Sequence, residues 1–229
     1  MTSALFVAVQ AHASLISSLD TGAGLYNANT GAAVVDPNWT VSLLSTEPPG
    51  QTPPGGIPSG PAYLVPNNIG FPFGYWLDND STSSWITYSH PPQMDGDNSG
   101  STFQYQLTFT AGSSGAATVR WLSDNDSWLY ISGGNYNNFL VGSKPGPDFS
   151  TFGSWNTPIS LSLSAGTRYT VDLDVFNEPQ GYGNPTGGRV EFSGDVSVVP
   201  EPTTLIAGAL LLLPFGASTL RILRKQRMA

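Results

Sequence analysis

The chain has 229 residues, no cysteine, and a formal net charge of −8, with only 10% of its residues charged. The lack of cysteine rules out disulfides, thiol nucleophiles and thiolate metal sites, and an acidic chain repels nucleic-acid phosphates and anionic lipid head groups. Residues 14–198 are enough to bury a core without staples. Their abundance of Gly, Ser, Thr and Asn fits a turn-rich extracellular all-β module.

At the N-terminus, Leu5-Phe6-Val7-Ala8-Val9 is a short apolar run, and Ala11-His12-Ala13 has the small-x-small pattern that signal peptidase reads. Residues 1–13 are therefore read as the end of a secretory leader, cut to leave Ser14. No basic residue precedes the run, which implies a translation start upstream of Met1. From Ser14 onward, alternation of period two marks strands. The candidates are Trp39 to Leu44, Trp85 to Tyr88, Thr102 to Phe109, Ala116 to Leu122, Trp128 to Ser132, Ile159 to Leu163 and Arg168 to Val175. Val190, Phe192, Val196 and Val198 continue the pattern around Gly194. Ser45 to Pro61 holds six prolines and four glycines and reads as a long surface loop, since proline cannot donate to a ladder. Eight to ten short antiparallel strands predict an all-β sandwich or jelly roll over residues 14–198.

Asp78-Asn79-Asp80 and Asp124-Asn125-Asp126 each follow a Trp-Leu pair by at most one residue. They are expected to be solvated turns, because Asx side chains bond nearby backbone. Trp76, Trp85 and Trp121 are expected in the core. Trp155 and Tyr182, in Gly/Asn/Pro-rich loops, and Tyr136, in the polar loop Gly133 to Asn138, are the candidates for exposed aromatic platforms that stack on sugars.

Asp95-Gly96-Asp97-Asn98-Ser99-Gly100 resembles half of a calcium loop, with Asp95, Asp97 and Ser99 as candidate ligands and a glycine for the tight turn. The position for a bidentate glutamate is Gln106, inside a predicted strand, so the loop is not an EF-hand. A solvated turn and a calcium site both remain open. No catalytic residue is assigned. His12 leaves with the leader, His90 precedes Pro91-Pro92, and neither Gly-x-Ser-x-Gly nor His-Glu-x-x-His occurs. The protein is expected to be non-enzymatic. A secreted hydrolase would need two carboxylates facing each other about 5–9.5 Å apart.

The C-terminus has three parts in order: Val199-Pro200-Glu201-Pro202, an uncharged stretch from Thr203 to Leu220, and a basic tail with Arg221, Arg224, Lys225 and Arg227. As a helix, the middle part would span about 27 Å, near the roughly 30 Å hydrocarbon core of a bilayer. A single C-terminal transmembrane helix is predicted, with the tail cytoplasmic. All sixteen acidic residues precede this helix, against four of the eight basic ones, so the exported part carries −12.

This arrangement over residues 199–229 resembles the PEP-CTERM sorting signal of Gram-negative exopolysaccharide producers. The resemblance implies an exosortase as processing partner, acting at the Pro-Glu-Pro motif. The body resembles the galactose-binding-like jelly roll of exported PEP-CTERM proteins. The matching pieces are Trp76 with Trp85-Ile86, Trp121 to Asn125, Leu163 to Val171, and Asn177 with Asn184 to Glu191. Together these imply an exported, non-enzymatic protein held at the inner membrane with its body in the periplasm. After processing it would reach the cell surface or the exopolysaccharide matrix. The alternative is a carbohydrate-binding module; the hydrolase comes third. If the motif is a sorting signal, mature surface protein lacks residues from about Thr203 onward, and alanines at Pro200 and Glu201 leave an uncleaved membrane form. Recovery of the basic tail from wild-type surface protein by mass spectrometry would refute this.

Overall fold

Strands whose alternate side chains enter one interior account for most of the described residues. The computed structural model describes residues 14–26, 33–47, 49, 59–67, 69–89, 91, 100–146, 155–179 and 183–200. In order they form β1 (Ser14–Leu15), a short 3-10 helix (Ile16–Leu19), β2 (Val35–Glu47), β3 (Ser59–Leu64) and β4 (Ile86–Thr87). Then come β5 (Gly100–Ala111), β6 (Gly115–Asp124), β7 (Asp126–Gly133), β8 (Tyr136–Lys144), β9 (Ile159–Leu163), β10 (Arg168–Asn177), β11 (Gly187–Ser193) and β12 (Ser197–Pro200). The pairing order is β8-β7-β10-β5-β2-β3-β4-β11-β6-β9, with β12 alongside both β1 and β5.

The path folds on itself as a two-layered sandwich, bending where β2 passes to β3. Phe103, Tyr105, Leu107 and Phe109 of β5, with Tyr169, Val171, Leu173 and Val175 of β10, come from one layer. They meet Val119 and Trp121 of β6 and Val190 and Phe192 of β11 in one buried cluster. The layers approach closely at Gly188, where a Cβ would lie 2.6 Å from Leu173 Cδ2. The two end strands also meet, since the Ser162 amide of β9 donates to the Tyr136 hydroxyl of β8 at 2.9 Å. The expected all-β sandwich is therefore present.

Three expectations need correction. The Pro/Gly-rich stretch is not loop throughout, because β2 runs to Glu47 and β3 starts at Ser59. Pro61 is tolerated in β3 because it pairs with Thr40 of β2, while β4 joins β3 only at Tyr63 and Leu64. Tyr136 lies in β8 rather than in a loop. That strand is an end strand, largely exposed from Asn137 to Leu140, so it shows no period of two. Gly134, with φ of 58°, occupies the turn between β7 and β8, where glycine supplies the positive φ such turns require. At the other end of the body, Val199 and Pro200 pair with Thr110 and Phe109 of β5, so the sheet extends two residues into the proposed motif.

The second Asp-Asn-Asp segment is not a solvated turn, whereas in the first Asp78 and Asp80 are exposed and Asp80 accepts the Thr82 and Ser83 amides as expected, with only Asn79 drawn inward. Asp124 and Asn125 are buried where the chain crosses from β6 in one layer to β7 in the other. Asp124 accepts the Trp76 indole N–H at 2.7 Å, and the Asn125 carbonyl side-chain oxygen accepts the Glu178 amide at 2.8 Å. Asn79 is buried too, bonded to the Val65 carbonyl, the Asn67 side chain and the Trp85 amide. Buried polar groups at such corners stay only because each finds a partner.

No helix among the described residues is long and apolar enough to cross a membrane. Residues 1–13, Asp95, Asp97, Ser99, Tyr182, Glu201, Pro202, Thr203 to Leu220 and the tail residues Arg221, Arg224, Lys225 and Arg227 lie outside the described residues.

Two predictions follow from the packing and the buried acids. Trp121 is 1% exposed and donates to the Ser127 hydroxyl at 3.0 Å; Trp76 is 3% exposed. Truncating either to alanine should cost about 3–5 kcal/mol, read as a lower denaturation midpoint. Burial, assisted by nearby Glu191, raises the Asp20 carboxyl to about 8 against the Phe192 amide that it accepts. Burial likewise raises Asp124 to about 7, and Asp36 to about 6 despite three backbone amides. In each case the folded state binds the proton more tightly than the unfolded state, so stability falls as pH rises from about 5 to 8. The window ends there because burial lowers Lys144 to about 8, which acts in the opposite sense above that pH. Melting temperature should therefore be higher at pH 5 than at pH 8, and Asp20→Asn should flatten the slope. A melting temperature independent of pH across this window would contradict the assignment.

Candidate functional site

The two outer faces of the sandwich differ. On the β11/β6 layer, Arg189 and Glu191 point away from the core and are roofed by residues 76–85. Trp76 and Trp85 stack there at 4.0 Å between ring centroids, with Val65 and Leu122 beside them. Arg189 is fully buried. Its guanidinium donates to the Ser83 hydroxyl at 2.6 Å, the Asp78 carbonyl at 2.7 Å and Asp80 at 2.8 Å. Arg120 Nε donates to Glu191 at 2.8 Å. Burial opposes ionisation of Asp80, but the amides of Thr82 and Ser83 and the Arg189 guanidinium outweigh it and hold its pKa low. Arg120, Glu191, Arg189 and Asp80 are thus matched within the protein.

The platform candidate Trp155 belongs to this covered face. It is half-buried, packs against the Trp76–Trp85 cluster, and has the guanidinium carbons of Arg120 and Arg189 at 4.3 Å and 5.1 Å from its ring centroid. Those cations occupy ring surface that a sugar would need. Tyr136 lies elsewhere, against Phe139 and Tyr169, with its hydroxyl on the Ser162 amide. The structure does not bring Trp155 and Tyr136 together.

The outer face of the other layer presents a different array. The phase that buries Val171, Leu173 and Val175 turns Thr170, Asp172 and Asp174 outward, and these residues are half-buried. Register then aligns the neighbouring strands. Asp174 pairs with Trp128 of β7 and Gln104 of β5, and Gln104 with Ser42 of β2. Asp172 pairs with Tyr130 and Gln106, and Gln106 with Thr40. Paired residues on antiparallel strands share a face, so these form two parallel rungs. Each reads aromatic, carboxylate, amide, hydroxyl across the sheet. The rungs lie two residues apart, about 6.8 Å, and neighbouring strands are about 4.8 Å apart.

The polar members are oriented by one another. Gln104 Nε2 donates to Asp174 Oδ1 at 3.0 Å, and Gln106 Nε2 donates to Asp172 Oδ1 at 2.8 Å. Each carboxylate thus spends one oxygen on its amide partner. Partial burial raises the Asp172 pKa against the Gln106 hydrogen bond. Asp174 is raised by burial too, with Gln104 opposing and the Asp172 charge adding. These two carboxylates lie side by side on one strand. The array offers aromatic faces beside preset acceptors and amides, the combination that orients a hydroxylated ring.

The period-two reading of β5, β7 and β10 already contains the outward phase. It does not contain the register, so the alignment of Trp128 and Tyr130 with the Gln–Asp pairs is absent from any single segment. Among the described residues no group of three or more His, Cys, Asp or Glu is placed to hold a metal.

No protein-family profile and no curated protein matches the sequence. Among solved structures, a family 35 carbohydrate binding module from an environmental isolate matches at 13% identity. The match covers 52% of this chain and 77% of that one, with a TM-score of 0.30. A family 35 module from Clostridium thermocellum matches at 16% identity over 48% and 77% of the two chains, with a TM-score of 0.28. A subtype-switched Epithelial Adhesin 9 to 1 A domain from Candida glabrata, solved with β-lactose, matches at 12% identity over 45% and 52%, with a TM-score of 0.29. At these scores neither fold nor binding residues carry over to this chain.

Proposed function

We propose that this protein is a non-enzymatic carbohydrate-binding β-sandwich whose ligand lies across the outer face of β7, β10, β5 and β2. The single observation that carries the reading is the in-register pair of rungs, Trp128–Asp174–Gln104–Ser42 and Tyr130–Asp172–Gln106–Thr40. A pyranose has one face of C–H groups and a rim of hydroxyls. The C–H face suits an aromatic ring, and vicinal hydroxyls suit a carboxylate or amide with oxygens fixed in place. Sheet strands hold these groups more rigidly than loops would, which lowers the ordering cost of binding. Trp155 and Tyr136 are not assigned to the ligand.

The proposal includes export. The leader-like residues before Ser14 and the motif, apolar segment and basic tail after Val198 support a body outside the inner membrane, exosortase processing, and a final place at the surface or in the exopolysaccharide matrix. Antibody against the body should label intact cells of the native host; labelling only after permeabilisation would contradict this placement.

The binding test is a glycan array probed with the full chain, followed by titration calorimetry. Trp128→Ala should weaken the best glycan about tenfold or more, about 1.4 kcal/mol, and Gln104→Ala should weaken it less. Because Trp128 points away from the core, its loss should change stability far less than Trp121→Ala does. No binding by the wild-type protein, or unchanged affinity in Trp128→Ala, would reject the face.

A further inference from the structure

We infer that the face selects glycans without acidic groups and rejects those bearing carboxylate or sulfate. The inference rests on the binding face proposed above and adds the charge class of its ligand.

The reason is the sign of what lies in the rungs. Their eight residues include two carboxylates, Asp172 and Asp174, and no base. Asp126, also directed to this face at the start of β7, adds a third carboxylate beside Trp128. Arg168 shares the outward phase of β10, but it is four residues before Asp172, about 13 Å along an extended strand. The arginines of the opposite layer, Arg120 and Arg189, are committed to Glu191, Asp80 and Trp155. They face away from the rungs across the thickness of the sandwich.

Hydrogen-bond direction supports the same conclusion. Each glutamine spends one of its two amide N–H groups on its aspartate, leaving the other as a donor and its own carbonyl oxygen and the second carboxylate oxygen as acceptors. The free carboxylate oxygens welcome hydroxyls, which can donate. They give nothing to a carboxylate or sulfate, which can only accept. Like charges brought together on a partly dehydrated surface repel more strongly than in bulk water. An amine-bearing glycan, by contrast, meets two acceptors of the right sign.

The test compares gluco-, galacto- and mannohexaoses with their C6-oxidised uronate counterparts, titrated against the full chain at low ionic strength and neutral pH. The neutral form of whichever series binds should bind about tenfold or more tighter than its uronate form. The gap should narrow at 1 M salt, where screening shortens the range of the repulsion. The double substitution Asp172→Asn and Asp174→Asn should shrink the discrimination at low salt by raising uronate affinity. If the uronate binds the wild type as tightly as the neutral form, and Trp128→Ala weakens both, the selectivity is overturned while the face remains. If a uronate binds tightly and Trp128→Ala has no effect, or if no hexaose of either kind binds, the face is rejected together with its selectivity.

Discussion

Both faces of the molecule follow from how β10 is held between β5 and β7. Each of its residues from Thr170 to Phe176 is matched on both sides, so a slip of one residue would turn Val171, Leu173 and Val175 to solvent and Asp172 and Asp174 into the core. Burying those unpaired acids would cost far more than any gain on the outside. The core therefore locks the register, and the locked register sets Trp128 beside Asp174 and Tyr130 beside Asp172. Surface chemistry here is a consequence of interior packing.

The opposite layer solves a different problem. Its outward residues include Arg189 and Glu191, which would be poor neighbours for an apolar roof if left unmatched. They are satisfied by Ser83, Asp78, Asp80 and Arg120, while Trp76 and Trp85 stack alongside and Trp155 lies over the two guanidinium groups. Buried ion pairs of this kind add little net stability but penalise every arrangement that breaks them. The network fixes where residues 76–85 rest, and it pairs Arg120, Arg189, Glu191 and Asp80 with one another. The asymmetry is why the β7/β10/β5 face, rather than the one carrying more tryptophan, is the one proposed as the ligand surface.

The second Asp-Asn-Asp segment shows how local chemistry is redirected by topology. In isolation it is a turn former. In the fold it lies where the chain changes layers, so its side chains are drawn inward to satisfy backbone and indole groups that the crossing exposes. The raised carboxyl of Asp124 is the electrostatic result of that position.

The sequence alone determined the class of fold, because period-two alternation is a local property and survives without knowledge of partners. It also marked Trp76, Trp85 and Trp121 as interior and the strands at 102–109, 159–163 and 168–175 with nearly their final limits. It missed β8, since an exposed end strand buries neither face and shows no alternation, and β3, since proline concealed a strand paired mainly on one side. It placed the sugar platform on Trp155 by its polar neighbours in the chain, whereas its neighbours in space are arginines. Which aromatic faces which carboxylate was decided only by tertiary structure, because register is set by contacts between residues about forty to seventy positions apart, and no window of sequence carries that information.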